Sequence, residues 1–310
     1  MNHTKVRTVT QAKTISMREP KNLVWRKWQQ NIGFGLLALA GFATIAILVW
    51  IIGYVLVQGM SQINVEFLTT RPAGGVSGEG GMSTTIVTTL YLVILTIVIA
   101  APLGVGAAVY LVEYAGEASR ESKFVAQLIR IARNGVEILA GVPSIIFGLF
   151  GFALFVSALK FKFSLLSAGL SGAALVLPVI IRTAEEALLT VPRSYREGSL
   201  ALGATKWQTI FNVVLPSALP GIVTGIVLSV GRIIAETAIF WVTLGGSYRL
   251  PTSLLSSGRT MALHVYMLAS ETRAFEKAMG TAAILIITIM VLNLAINMIS
   301  RRLTLKINGQ

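Results

Sequence analysis

The sequence predicts an all-α membrane protein with six transmembrane helices. Only 13% of the 310 residues are charged and 54% are hydrophobic, where soluble domains carry about a quarter charged residues. The apolar residues also gather in runs close to the ~20 residues that cross a hydrocarbon core. A third observation, the distribution of Lys and Arg, orients the spans.

The chain opens with a basic stretch, 1–32, expected to be a cytoplasmic tail. Span one is Gly33 to Val57, uncharged throughout, followed by an outer segment over 58–84. The first apolar run exceeds a typical signal-peptide core, so no cleavable leader is expected. "RPAGGVSGEGGMSTT" (71–85) reads as a flexible outer loop whose terminal Ser/Thr residues are candidate caps for span two. Span two covers 85–112, with Pro102, Gly104 and Gly106 expected to bend it. "EASRESKFVAQLIRIARNG" (117–135) places Phe124, Leu128 and Ile131 on one helical face, an amphipathic helix at the inner surface that packs against other spans or a partner. Span three is 138–159 and span four 165–181. A polar loop, 182–219, precedes span five at 220–244, where Pro220 suits a first helical turn. The outer segment 245–278, span six at 279–299 and a tail at 300–310 complete the chain.

With the N-terminus inside, the inner segments hold 18 of the 26 Lys and Arg residues and the outer ones 7, the last being Arg232 within span five. The bias places both termini in the cytoplasm. "KFKFS", between spans three and four, is a local exception. A net charge of +13 would also suit a nucleic-acid binder, but in this setting it reads as a basic cytoplasmic face; no nucleic acid is expected, and membrane lipid is.

Several chemistries are excluded. There are no cysteines, so disulfides and thiolate sites are absent. All 13 acidic residues are Glu, which removes Asp-based calcium loops and aspartyl phosphorylation. His3 and His264 are too far apart to suggest a metal site by spacing. The glycines of 71–85 follow no strand and precede no Lys, and no G-x-x-x-x-G-K-[ST] occurs. No hydrolytic constellation stands out. The chain is therefore expected to be a non-enzymatic transport protein that binds no cofactor itself.

The loop 182–219 contains "EGSLALGATKWQTIFNVVLP" (197–216). Its composition favours a helix from Ser194 that ends near Gly203, then a second helix capped by Thr205 and ended by Pro216. The second helix presents Trp207, Ile210, Phe211 and Val214 at helical spacing, and Trp207 with Phe211 forms a candidate contact anchor. Here the chain resembles the permeases of bacterial ABC importers, whose loop reads E-A-A-x-x-x-G-x(9)-I-x-L-P. Glu197, Gly203, Leu215 and Pro216 stand at that spacing; Gly198 and Ser199 replace the alanines and Val213 the isoleucine. The resemblance implies a type I ABC importer permease fold over 85–300, in a bacterial cytoplasmic (inner) membrane. It also implies that this loop docks on a separate ATPase, which binds ATP-Mg.

"PLGVGAAVYLVEYAG", "GVPSIIFGLFGF", "LPVIIRTAEEALLTVPRSYREGSLALGATKW", "LPSALPGIVTGIVLSVGRIIAETA" and "ALHVYMLAS" resemble the PstA-type permease of phosphate importers. That family pairs with a PstC-type permease, two PstB-type ATPases and a PstS-type phosphate-binding protein. Phosphonate, sulfate or molybdate importers are alternatives, and a secondary transporter is a further one. Within span five, Arg232 and Glu236 are four residues apart, which on one helix puts them on one face. They read either as an interhelical ion pair or as a station for inorganic phosphate, since a guanidinium forks onto phosphate oxygens. Arg182 is a second candidate, or a positive-inside anchor at the inner end of span four.

Overall fold

The computed structural model describes residues 21–73, 78–116, 122–272 and 274–307. Residues 1–20 of the expected tail and 308–310 at the other end lie outside them, as do parts of the 71–85 and 117–135 segments. The chain divides into two units between Tyr54 and Val55.

The first unit is the greater part of one helix, α1 (Lys21–Met60). It encloses the expected span one and has no polar face over that stretch, as suits a helix in lipid.

In the second unit, α2 (Val65–Thr69) is capped by Asn64, whose Oδ1 accepts from Phe67 N at 2.7 Å. Beyond α2, Pro72 and Gly80 form an isolated antiparallel bridge. Helix α3 (Ser83–Val109) carries span two and continues through a π-helical turn, Tyr110–Tyr114. The expected Ser/Thr cap is absent: the N-cap is Met82, and Thr85 Oγ1 instead donates to Met82 O at 2.7 Å.

Span three is not one rod. Helix α4 (Lys123–Ala140) stops at Gly141, and α5 (Ser144–Gly151), extended by a π segment to Ala158, leaves at 110° to it. Pro143 is the cause. It has no N–H to give, its ring would clash with the carbonyl of Leu139, and it drives Val142 out of helical geometry.

Helix α6 (Leu165–Thr190) is capped by Ser164 and runs eight residues beyond Arg182. Then come α7 (Arg193–Ala201) and α8 (Lys206–Thr209). A π segment, Ile210–Val214, leads straight into α9 (Leu215–Ala235), so that Lys206–Ala235 is one apolar run. Pro216 does not end the second helix as expected. Leu215 N reaches back five residues to Ile210 O, and this wider turn carries the chain past a residue that cannot donate.

Span five breaks instead at Glu236, whose backbone is extended (φ −74, ψ 131), before α10 (Ala238–Thr243). The outer segment holds α11 (Met261–Glu271), and α12 (Phe275–Ile307) encloses span six.

The core lies where α3, α6 and α9 meet, with Leu92, Ala100, Val176, Ile180, Ile233 and Ile234 buried. Small residues set the spacing. A Cβ on Gly104 would stand 2.6 Å from Ile180 Cγ2, and one on Gly225 would collide with Thr183. Close packing of this kind, rather than apolar burial, holds helices together in lipid.

A charged group holds the outer segment. Arg259 is buried and donates to Gly246 O from Nε and Nη2 (3.1 and 2.8 Å). Its Nη1 lies 3.3 Å from His264 Nδ1, and the guanidinium sits 4.1 Å from the Tyr248 ring centroid. Burial, then the Arg259 charge, pushes His264 down to about 3. The imidazole is therefore neutral and accepts from Arg259.

Candidate functional site

Helix α7 ends in a turn that only glycine makes without strain. Gly203 has φ +85, and its N–H donates to Leu200 O at 3.0 Å while Ala204 N donates to Ser199 O at 3.2 Å. Thr205 then opens α8 with a capping box. Its Oγ1 accepts from Gln208 N (3.3 Å) and its N–H donates to Gln208 Oε1 (2.8 Å). A Ser199–Thr209 hydroxyl bond of 2.9 Å ties the two short helices together. The helix–turn–helix expected from composition is thus present.

Nothing lies within 4 Å of a Cβ placed on Gly203, so the turn projects into open space. Glu197 is exposed on α7. At the tip, Leu202 is 91% exposed, the most exposed large apolar side chain described. Sequence reasoning missed this residue; its signal was a leucine immediately before the turn glycine. Trp207 and Phe211 lie elsewhere. Their rings pack 4.0 Å apart and line a groove of about 390 Å³ with Pro102, Val105, Tyr110 and Leu215, against the end of α3. Lys206 Nζ sits 4.6 Å from the Tyr114 ring centroid beside it. Pro216 is partly buried in the first turn of α9.

The turn is fastened to the spans by Arg196, which sequence reasoning also missed. Its Nε and Nη2 donate to Glu113 Oε1 at 3.0 and 2.7 Å. Nη1 reaches Val191 O (2.8 Å) and Nη2 also reaches Leu188 O (2.9 Å). The side chains are 19% and 9% exposed. One guanidinium thus joins α7, the last turn of α6 and the π segment that ends α3. The two partners are 83 residues apart, so no local pattern announces them.

The charged residues of span five are arranged differently from the sequence expectation. The helix stops at Ala235, so spacing by four no longer places Arg232 and Glu236 on one helical face. No ion pair joins them among the described residues. Glu236 Oε1 instead accepts from Ile239 N at 3.4 Å, a donor that the break in the helix releases. Arg232 is exposed on this chain. Because the run begins at Lys206, Arg232 stands about 39 Å along it at 1.5 Å per residue, nearer the far end than the middle. Arg182 is not at the inner end of its helix. It lies two turns within α6, 57% exposed, with Nε 3.6 Å from Glu186 Oε1.

A family model described as "Binding-protein-dependent transport system inner membrane component" matches residues 122–309. The probable ABC transporter permease protein YqgI of Bacillus subtilis is 31% identical over 87% of this chain and 94% of its own length. The phosphate transport system permease protein PstA 1 of Mycobacterium tuberculosis (strain H37Rv) is 37% identical over 81% of each chain. Among solved structures, a chain of the bacterial alginate ABC transporter, crystallised with an alginate pentasaccharide-bound periplasmic protein, superposes with a TM-score of 0.66. It does so at 15% identity, over 90% of this chain and 98% of that one. A chain of the inward-facing MetNI methionine ABC transporter gives 0.56 at 23% identity, over 71% and 93%. These two show the fold alone.

Proposed function

Since the chain belongs to the family of binding-protein-dependent transport system inner membrane components, we propose that it is the PstA-type permease of a phosphate importer, paired with a PstC-type chain, two PstB-type ATPases and a PstS-type binding protein. It is a multi-pass cytoplasmic-membrane permease and not an enzyme; ATP is hydrolysed by partner ATPases. The phosphate transport permeases among its relatives support inorganic phosphate as cargo.

The observation that carries the coupling role is continuity. Helix α8, the second half of the projecting turn, is one run with α9 through the Ile210–Val214 segment. A push on Gly203 and Leu202 from a closing ATPase therefore acts on the span that bears Arg232. Arg196 keeps the first half of the turn in step with α3 and α6. Both termini then lie on the ATPase side, the cytoplasm.

At the other end of that span, Arg232 and Glu236 flank the break. A guanidinium exposed on a membrane helix costs about 2.5–3.5 kcal/mol against hydrocarbon at a helix centre and less toward the end where Arg232 stands. A second permease or a wet pathway between the two removes that cost. Irregular backbone at membrane depth is likewise tolerated where it borders protein or water. Arg232 offers paired donors to a phosphate anion. The Glu236 carboxylate accepts from a protonated phosphate oxygen, which sulfate lacks at neutral pH. Arg182 is a further candidate on the route.

Phosphate uptake by vesicles holding the four-component complex tests this reading. Phosphate uptake that resists excess sulfate, phosphonate and molybdate, and that falls at least tenfold in Arg232→Gln and Glu236→Gln with assembly intact, is the expected result. Equal competition by sulfate overturns the cargo. Unchanged flux in both variants overturns the pathway.

A further inference from the structure

Helix α4 is amphipathic, yet none of its residues is fully buried. At 100° per residue, Phe124, Leu128, Ile131 and Ile138 fall within about 80° of arc. All four are exposed, at 71%, 49%, 59% and 68%. Arg133 and Glu137 occupy the opposite side, and Val125, Ile129 and Val136, between the two, are partly buried. The helix thus touches its own protein along one flank and leaves its apolar stripe uncovered.

One contact and one angle fix where that stripe lies. Arg133 Nη2 donates to Leu111 O at 2.8 Å. Leu111 belongs to the same π segment as Glu113, the partner of Arg196. Helix α4 therefore sits at the end of the spans that carries the coupling turn. It also meets α5 at 110°. With α5 crossing the bilayer near its normal, the 110° bend leaves α4 within about 20° of the membrane plane, where interfacial helices lie. Lys123 and Arg130, both exposed, border the stripe on one edge, within snorkelling reach of headgroups.

We propose that α4 is an in-plane anchor in the cytoplasmic leaflet, its Phe124–Leu128–Ile131–Ile138 stripe among acyl chains and Lys123 and Arg130 on the phosphates of anionic lipids. Charge selects this occupant. A stripe for a partner permease has no need of a basic border, whereas the cytoplasmic leaflet is the anionic one. The anchor holds the leaflet one hydrogen bond and one ion pair from α7, so lipid composition bears directly on the fastening of the coupling turn.

The chain contains no cysteine, so one introduced cysteine carries one nitroxide. Phe124→Cys, Leu128→Cys and Ile131→Cys, with Glu137→Cys as the opposite face, are to be labelled in the assembled complex with cysteine-free partner subunits, in bilayers containing phosphatidylglycerol. The stripe positions are expected to relax several-fold more with dissolved oxygen than with an aqueous nickel chelate, and Glu137→Cys the reverse. The Lys123→Gln/Arg130→Gln double variant is expected to bring the Leu128 label into nickel reach without stopping ATP-driven transport. Stripe labels shielded from both reagents would mean a protein partner, and stripe labels open to nickel would mean water; either overturns the proposal. Because uptake is followed in the same vesicles, a failed anchor is distinguishable from a failed permease.

Discussion

Replacing Arg196 with methionine should separate ATP hydrolysis from transport. The substitution keeps an unbranched apolar stem and removes all the donors of the side chain. It strands the Glu113 carboxylate, 9% exposed, and the carbonyls of Leu188 and Val191, which the guanidinium caps at the end of α6. Breaking one side of such a buried pair costs about 3–5 kcal/mol. On a docked-versus-loose equilibrium for α7, that is a shift of at least about 100-fold. The complex should therefore still insert and still bind its ATPase through the projecting tip, while each hydrolysis event moves less cargo. Three measurements in proteoliposomes check this: phosphate delivered per ATP hydrolysed, the melting temperature of the purified complex, and a cycle with Glu113→Met. The single variant should melt lower and couple poorly. The double variant, with no stranded charge, should recover most of the melting temperature but not the coupling, since an apolar pair does not aim α7. Parental melting and coupling in Arg196→Met would refute the role assigned to this contact.

Gly203→Leu places a side chain at φ +85 with open space around it, so its folding cost is only about 1–2 kcal/mol. The protruding leucine should nevertheless block docking, seen as loss of ATPase co-purification with normal membrane insertion. His264 is neutral in the fold because its pKa is lowered to about 3. A group depressed in the folded state contributes stability above its unfolded value near 6.5, and that stability is lost as pH falls toward 3, by up to about 1.4 kcal/mol per pH unit. Melting between pH 6.5 and 4.5 should therefore drop in the parent and stay flatter in His264→Gln. Thr96 Oγ1 is buried with no hydrogen-bond partner among the described residues. Thr96→Val should accordingly leave the complex as stable or up to about 1 kcal/mol more so, read from its melting temperature; a clear loss would mean that the hydroxyl has a role.

What was legible in the sequence follows from what is local. Spans one, two, four and six are long apolar runs, and the Gly203 turn advertises itself through a glycine, an N-cap threonine and Gln208 three residues later. The bend after α4 was signalled by Pro143 but submerged in an apolar run that reads as one span. The break at Glu236 has neither glycine nor proline to announce it. It depends on a carboxylate finding a backbone N–H, a balance set by the whole fold. Arg196 and Glu113 meet only because α3 and α6 end side by side, and no residue spacing encodes that meeting. Helical spacing makes Trp207 and Phe211 neighbours, but the end of α3 decides which surface they line.

The Ile210–Val214 segment has a consequence for how this chain tolerates change. A π turn amounts to one residue more than an α-helix needs, so it sets the rotational phase between the coupling turn and everything beyond it. Deleting a single residue there would turn Gly203 by about 100° relative to the face that carries Arg232. It would also press Pro216 against the carbonyl that the wide turn now carries clear. The bulge and the proline form a matched pair: together they index the turn to the span, and neither is free to drift without the other.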